Sequence, residues 1–163
     1  MKEYLGLRTV PLKKLVRWCV VLLAFLVCID LTTTFLNRPI VPNVMVNAYR
    51  TAQVLPLMWL ALVVGAPLAE EIFFRGFLLK GLLHSRLGPT GAIVVTSAVW
   101  SGFHLQYDLY GITIIFLTGL VFGFSRLRTG SLYPAIAMHA LMNLLATIQV
   151  AMLVRYGGES TMP

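Results

Sequence analysis

The chain has 163 residues, of which 58% are hydrophobic and only 12% are charged, and its mean hydropathy is +0.83. Soluble globular domains carry about 25% charged residues, so this composition excludes an ordinary soluble domain and predicts an integral membrane protein. The net charge of +7 does not indicate nucleic-acid binding, because the basic residues lie between apolar segments and form no long run. We expect them to orient the chain in the membrane and to contact membrane lipids.

The apolar segments predict an all-α polytopic membrane bundle, formed as a single domain by residues 1–163, with five or six transmembrane helices. A spanning helix needs about 20 apolar residues. Five candidate segments follow one another: 15–36, 53–84, 90–107, 110–126 and 132–153. The second segment is either one long helix kinked at Pro67 or a span followed by another helix, and the polar interval 37–51 is a loop or an interfacial segment. In the fourth segment, Gly119 and Gly123 predict a face where another helix packs closely.

The basic residues predict that the N-terminus is cytoplasmic. With five spans, nine lysines and arginines lie on the side of the N-terminus: Lys2, Arg8, Lys13, Lys14, Arg17, Lys80, Arg86, Arg126 and Arg128. Only Arg38, Arg50 and Arg155 lie on the other side, while Arg75 lies within the bundle. Cytoplasmic loops are enriched in lysine and arginine, so this bias favours an N-inside orientation.

Two adjacent glutamates, Glu70 and Glu71, lie within the second apolar segment. Ionisable groups are costly in membrane-spanning sequence and persist mainly where they have a function. Glu71 and Arg75 are four residues apart, so they share a helix face and can neutralise each other. Glu70 lies about 100° around the helix and has no local basic partner, which makes it a candidate proton carrier. The alternative is that both acids and Arg75 form a purely structural ion cluster.

Histidine and amide side chains recur in the later apolar segments. His139 and Asn143 are four residues apart and share one helix face, where an imidazole and an amide can both donate to one developing oxyanion. His104 lies at the end of the third segment, and the spacing alone does not define its role. His84 lies at a predicted helix end, so we interpret it as interfacial.

A carboxylate and two histidines also resemble a zinc site, for which Glu70, His104 and His139 are the candidate ligands. Histidine ligands are usually oriented by a further carboxylate, and the sequence shows no spare acid for that purpose. The chain also lacks the His-Glu-x-x-His pair of zinc proteases, a phosphate-binding glycine loop and a Gly-x-Ser-x-Gly motif. We therefore expect no cofactor, and zinc remains the alternative.

Three motif blocks stand in order along the chain. They are Glu70-Glu71-Ile-Phe-Phe-Arg75, Trp100-Ser-Gly-Phe-His104, and Phe116-Leu-Thr-Gly119-Leu-Val-Phe-Gly123 followed by Thr129-Gly130-Ser131-Leu-Tyr-Pro-Ala-Ile-Ala-Met-His139-Ala-Leu-Met-Asn143. Together they resemble the CPBP family of intramembrane proteases, the CAAX protease and bacteriocin-processing group that is also called the Abi family and includes the Ras-converting CAAX endopeptidase. The resemblance covers about residues 55–150 and leaves 15–36 as an additional N-terminal transmembrane helix. Trp100 stands where the family usually has phenylalanine, an aromatic-for-aromatic difference that we expect to matter little.

The resemblance implies a metal-free, glutamate-dependent endopeptidase. Glu70 and His104 would bind and activate the hydrolytic water, while His139 and Asn143 would form the oxyanion hole. Glu71 and Arg75 would hold the motif helix in place. The helix lengths raise one geometric difficulty. His104 lies about 21 Å along its predicted helix from Thr90, but His139 lies only about 12 Å along its own helix from Ser131. The two can meet only if these helices are tilted or offset.

The resemblance further implies a protein or peptide substrate, cleaved near its C-terminus or in a membrane segment, and a cavity that faces the cytoplasm. Prenylated substrates are not implied, because bacterial relatives of this kind serve peptide maturation, bacteriocin self-immunity and sorting-signal processing. The compact size suggests a prokaryotic inner or plasma membrane. Two rival interpretations stay open: a non-catalytic membrane partner or immunity protein that keeps the motif for folding, and a metal-binding or transport protein that uses Glu70, His104 and His139.

Overall fold

A computed structural model describes residues 2–157, and within that range it contains helices and no strands. Seven helices follow one another: α1 (Lys2–Leu5), α2 (Leu12–Phe35), α3 (Asn43–Thr51), α4 (Leu55–Leu82), α5 (Gly88–Gly102), α6 (Leu109–Thr129) and α7 (Tyr133–Tyr156). The predicted helical membrane bundle is confirmed. The predicted single domain also includes Met1 and residues 158–163, which lie outside the described residues.

Four of these helices, α2, α4, α6 and α7, are long and apolar enough to cross a membrane. The count differs from the predicted five at the segment 90–107, where α5 has only 15 residues. A helix of that length rises about 22 Å, less than the hydrocarbon core of about 30 Å. Backbone N–H groups of Phe103 and His104 bond back to Trp100 and Ser101, which closes the last turn of α5. The chain then continues to α6 through the connector 103–108.

Helix α4 is continuous over 28 residues, so the second segment is one long helix and not a span followed by a separate helix. It contains two segments with a wider π-helical turn, Ala61–Gly65 and Ile72–Leu78. In such a turn a backbone N–H bonds the carbonyl five residues earlier, as Ala66 N–H does with Ala61 O. The two π segments flank the run that carries the glutamates, and Pro67 lies two residues after the end of the first.

Helices α2 and α6 run in opposite directions, which defines two ends of the bundle. Trp18, near the start of α2, packs edge-on against Phe124, near the end of α6. Thr33, near the end of α2, shares a 2.7 Å hydrogen bond with Tyr110, near the start of α6. We call the two ends the basic end and the α3 end. The basic end comprises residues 2–17, 80–90 and 124–133, and the α3 end comprises residues 30–58, 103–112 and 146–156.

The first residues of the chain are anchored at the basic end. Leu132 N–H donates to Gly6 O at 2.9 Å, and the Ser131 hydroxyl donates to Arg8 O at 2.6 Å. Gly6 has a φ of +70°, and a Cβ at this position would collide with the Arg126 guanidinium. Glycine therefore permits both the turn and the close approach of the N-terminal segment to α6.

The core lies where α4, α5, α6 and α7 meet, and α2 covers one side of it. Its buried centre consists of Leu22, Phe74, Trp100, Phe122, Ala135 and Met138. Helices α5 and α6 approach closely, because a Cβ on Gly119 would lie 2.9 Å from that of Ser97, and one on Gly123 would lie 2.9 Å from the Ile93 side chain. The predicted packing face is confirmed. This close packing places the polar side chains of α4 against α6 and α7.

Candidate active site

Glu71 is the centre of a buried ion cluster, which we define as Glu71, Arg75 and His139. All three side chains are at most 3% exposed. Arg75 Nη1 donates to Glu71 Oε1 at 3.0 Å, and His139 Nδ1 lies 2.9 Å from the same oxygen. The Arg75 guanidinium also lies 4.3 Å from the centre of the Trp100 ring. The ion pair inferred from the four-residue spacing is present, and it is joined to α7 through a histidine that the sequence had not linked to it.

Glu70 points away from this cluster and is only half-buried. Its Oε2 accepts a hydrogen bond from the Trp100 indole N–H at 2.5 Å. The donor is therefore a neutral group on α5, whereas the neighbouring Glu71 bonds to an arginine. The 100° rotation between adjacent helical residues explains why the two carboxylates have different partners, since it turns one into the core and the other toward a cavity.

Trp100 connects the polar groups of the site. Besides its bond to Glu70, its backbone carbonyl is bonded to His104 Nδ1 at 2.9 Å. Its buried ring packs edge-on against both histidines, at centroid distances of 5.3 Å to His104 and 5.4 Å to His139. A phenylalanine would keep the ring contacts but could not donate to Glu70. The aromatic difference therefore changes one contact of the site, and the indole N–H is a part of the site that the sequence interpretation missed.

His104 lies in the connector 103–108 and not on a transmembrane helix. Because α5 ends at Gly102, the depth of His104 is not determined by helical rise. The difficulty of bringing His104 and His139 together therefore does not arise, since both rings contact Trp100.

Asn143 is held by the first π-helical segment of α4. Its Nδ2 donates to Leu62 O at 2.8 Å. In an α-helical turn Leu62 O would bond Ala66 N–H, but that group bonds Ala61 O instead. In a π-helical turn its partner would be the nitrogen of Pro67, which carries no hydrogen. The combination of register change and proline thus frees a carbonyl for Asn143, and the second N–H of the amide remains for another acceptor.

These side chains line one cavity of about 410 Å³, in which Glu70, Trp100, His104, His139 and Asn143 all take part. They come from α4, α5, the connector and α7, so the three motif blocks of the sequence meet there. Most of the remaining wall is apolar: Val44, Met45, Met58, Ile115, Met142 and Val150. A second space of about 400 Å³ shares Glu70, Trp100 and His104 and is also lined by Phe73 and Phe103. His84, in contrast, is exposed near the basic end and far from the site in the fold, as its interfacial interpretation requires.

The connector that carries His104 is fixed at its far end by Asp108. Asp108 Oδ1 accepts the Gly111 backbone N–H at 2.8 Å, and Oδ2 accepts Arg38 Nη1 at 2.5 Å. The backbone bond and the guanidinium together hold the pKa of Asp108 below its ordinary value. Burial raises the pKa of the neighbouring Tyr107, which lines the same wall of the cavity.

The candidate zinc ligands do not form a metal site. Among residues 2–157, no three histidine, cysteine, aspartate or glutamate side chains lie close enough to hold a metal ion. Glu70 is turned to the Trp100 indole, and His104 Nδ1 is turned to a backbone carbonyl. The stated objection to zinc was nevertheless wrong, since Glu71 does orient His139 as a further carboxylate would. The residues that are present therefore do not fit zinc, for a reason of geometry rather than for lack of an acid.

Comparison with known proteins adds a family to this geometry. The family model described as "Type II CAAX prenyl endopeptidase Rce1-like" matches residues 52–145, which include every residue of the site. An Escherichia coli protein named "Uncharacterized 24.3 kDa protein" is 36% identical over 87 residues, which make up 51% of this chain and 39% of that protein. The chain thus matches well under half the length of this curated relative. No solved structure matches it.

Proposed function

The chain belongs to the Rce1-like family, type II CAAX prenyl endopeptidases, and we propose that it is an intramembrane endopeptidase that uses a glutamate to activate water. The observation that carries the proposal is the cavity itself. Glu70, His104, His139 and Asn143 are far apart in sequence, yet they line the same space of about 410 Å³. A carboxylate base and a set of oxyanion donors around one space are what peptide hydrolysis needs.

Glu70 is the proposed general base. It accepts a proton from water while the water oxygen attacks the carbonyl carbon of the peptide bond, which forms a tetrahedral intermediate. When the C–N bond breaks, the same proton passes from Glu70 to the leaving amine, and the carboxylate is regenerated. His104 Nδ1 faces the Trp100 carbonyl, so the tautomer with a proton on Nδ1 leaves Nε2 as an acceptor that can hold the second hydrogen of the water.

His139 and Asn143 are the proposed donors to the oxyanion. Asn143 has one amide N–H available besides its bond to Leu62 O. His139 faces the Glu71 carboxylate with Nδ1, so its Nε2 donates only if the ring is an imidazolium. The proposed role of His139 therefore requires the imidazolium, with its Nδ1–H directed at the Glu71 carboxylate and its Nε2–H at the oxyanion.

The cavity walls suggest the class of substrate. Beyond the polar site they are mostly methionine, valine, isoleucine and alanine side chains. We propose an apolar protein or peptide segment, cleaved near its C-terminus or within a membrane segment, as in sorting-signal or bacteriocin processing. Nothing in the reaction requires a prenyl group on the substrate. We propose that no metal or other cofactor takes part.

The chain is an integral membrane protein, and we propose that it lies in a prokaryotic plasma membrane with its N-terminus in the cytoplasm. The positive-inside rule supports this orientation. Nine basic residues precede or follow the spans at the basic end, against three at the α3 end.

The test is to incubate purified protein in lipid nanodiscs with membrane proteins from its host and to identify new peptide ends by mass spectrometry. Wild type is compared with Glu70→Gln and His139→Ala, and bound metal is measured in parallel. New ends that require Glu70 in the absence of bound metal support the proposal. Equal results from folded wild type and both variants would favour the non-catalytic partner or immunity protein. One metal ion per chain, lost in His104→Ala, would favour the metal-binding protein.

A further inference from the structure

We infer that the catalytic cavity opens to the non-cytoplasmic side of the membrane, so that its substrates are apolar segments presented from that side. The inference rests on the proposed function for the reaction. The geometry of the cavity gives the end of the bundle at which it opens, and the distribution of basic residues gives the side of the membrane. From Glu70 the cavity follows α4 backward past Leu62 to Met58, and it follows α7 forward past Asn143 to Val150. The start of α4 and the end of α7 both lie at the α3 end, and no lining residue belongs to the basic end.

The two ends of the bundle differ strongly in their number of basic residues. The basic end carries Lys2, Arg8, Lys13, Lys14, Arg17, Lys80, Arg86, Arg126 and Arg128, whereas the α3 end carries Arg38, Arg50 and Arg155. At the α3 end, Arg38 is also neutralised by Asp108. Transfer of the basic end across the membrane is disfavoured, so it stays in the cytoplasm. The cavity then opens on the opposite side.

This direction replaces one of the expectations drawn from the sequence. An N-inside orientation and a cytoplasm-facing cavity were expected together, but the cavity and the N-terminal segment lie toward opposite ends of the bundle. The two expectations therefore exclude each other. We keep the orientation, because it depends on nine basic residues of this chain, whereas the facing of the cavity depended only on the resemblance.

Helix α3 forms part of the cavity wall at this end. Val44, Met45, Ala48 and Tyr49 of α3 contribute to the cavity wall, while the polar side chains of Asn43 and Asn47 are exposed. An amphipathic helix of this kind lies at the membrane surface with its apolar face inward. Helix α3 is therefore the part of the cavity that a substrate from the non-cytoplasmic side meets first.

The second space gives the cavity a side opening at the level of Glu70. Phe73 and Phe103, which line it, are 49% and 72% exposed. Phe73 lies on the transmembrane helix α4 next to the glutamates, and Phe103 lies just after the end of α5. Exposed aromatic side chains on a membrane-spanning helix face lipid, so a segment that lies in the bilayer can reach Glu70 between these two rings. The substrate class is thus an apolar segment of an exported or membrane-inserted protein, with its scissile bond toward the non-cytoplasmic side.

The test measures accessibility and does not need enzymatic activity. Cys19 and Cys28 are first replaced by serine, and single cysteines are then introduced as Ala146→Cys in the cavity wall or Met45→Cys on α3. Ser85→Cys, exposed in the loop between α4 and α5, is the control at the basic end. A membrane-impermeant sulfonated maleimide is applied to right-side-out and inverted membrane vesicles. We expect both cavity cysteines to be labelled in right-side-out vesicles and protected in inverted ones, with the opposite result for Ser85→Cys.

Labelling of the two cavity cysteines from inverted vesicles would overturn the inference, and so would protection of both in both kinds of vesicle. The use of two positions on different helices separates a local folding defect from a true difference in access. The result is also independent of catalysis, since the same pattern is expected with Glu70→Gln added. If labelling is as expected but no proteolysis is found, the proposed function fails and the access route stands. If proteolysis is found but the labelling differs from the expected pattern, the access route fails and the proposed function stands.

Discussion

Glu70 and Glu71 are neighbours in the chain, but they belong to two regions with different physical chemistry. In the buried ion cluster, Glu71 faces Arg75 and His139 with no exposure to solvent. In the catalytic cavity, Glu70 is half-buried and is bonded to the neutral indole of Trp100. A carboxylate held by two nitrogen donors, one of them a fixed cation, is suited to structure, whereas one held by a single neutral donor remains able to exchange a proton. The comparison predicts that changes at Glu71 and Arg75 act mainly on stability and changes at Glu70 act on catalysis, while His139 belongs to both regions.

The largest effect on stability is expected for Glu71→Leu. The change leaves the Arg75 guanidinium buried without its carboxylate, which costs about 3–5 kcal/mol of folding free energy. Denaturant unfolding in detergent or nanodiscs measures the loss. The double variant Glu71→Leu with Arg75→Leu removes both charges and should be less destabilised than the single variant. A double variant that is the less stable of the two would show that the contacts of Arg75 with the Trp100 ring and the Gly119 carbonyl outweigh the cost of its buried charge.

Glu70→Gln should abolish most activity and leave stability nearly unchanged. Glutamine keeps an oxygen that can accept from Trp100 but cannot take a proton from water, so kcat should fall about 10²- to 10⁴-fold. Peptide release and unfolding are measured on the same preparation. Glu3→Gln, at an exposed position in α1, is the matched control and should behave like wild type. Retained activity in Glu70→Gln would remove Glu70 from the mechanism.

Asn143→Ala tests the oxyanion side of the cavity. Loss of one oxyanion donor typically lowers kcat about 10²- to 10³-fold, and we expect KM to change little because the donor acts on the transition state. The change also leaves Leu62 O without its amide partner, so a small loss of stability accompanies it. Ile148→Ala, exposed on the same helix, controls for truncation on α7. A variant with raised KM and normal kcat would indicate substrate binding instead.

Trp100→Phe removes one hydrogen-bond donor, the indole N–H, while keeping an aromatic ring in the core. Hydrogen bonds to charged groups contribute about 1.5–3 kcal/mol, so the loss of the bond to Glu70 should lower kcat about 10- to 100-fold, with a smaller effect on unfolding. Trp59→Phe, on α4 but outside the cavity wall, is the control. If both substitutions have the same mild effect, Trp100 only fills space.

The smallest effect is expected at Asp108, outside both regions. Its lowered pKa means that the folded state favours the carboxylate, so the stabilisation is present at neutral pH and is lost as the pH falls through the folded-state pKa. Asp108→Ala should be less stable than wild type at pH 7, and the two should converge in acid. Asp108→Asn can still accept the Gly111 N–H and should lie between them. A constant difference across the pH range would exclude a contribution from the charge.

The sequence was sufficient for the features that depend on local spacing. The four-residue interval predicted the Glu71–Arg75 pair, and the glycine pair predicted the close packing of α6. The apolar segments predicted the bundle, apart from α5, whose length depends on where its last turn closes. The motif blocks predicted which polar residues meet in the cavity, although their catalytic roles stay predictions.

The features that the sequence missed depend on contacts between helices or on backbone register. No local pattern joins Glu71 to His139 or the Trp100 indole to Glu70, because each contact crosses from one helix to another. The bond from Asn143 to Leu62 O requires a π-helical turn, which hydrophobic periodicity does not reveal. The available signal is Pro67, about one turn before the glutamate pair, which the sequence interpretation treats only as a kink.

The most direct test is to measure unfolding and peptide release together for Glu70→Gln and Glu71→Gln, two variants that differ by one position in the chain. We expect Glu70→Gln to unfold like wild type and to release no peptide. Glu71→Gln should unfold at markedly lower denaturant concentration. The activity of its folded fraction should be reduced, because His139 loses its carboxylate partner, but what remains should still depend on Glu70. If Glu70→Gln is as unstable as Glu71→Gln, or if Glu71→Gln is as stable as wild type, the two glutamates do not belong to separate structural and catalytic regions.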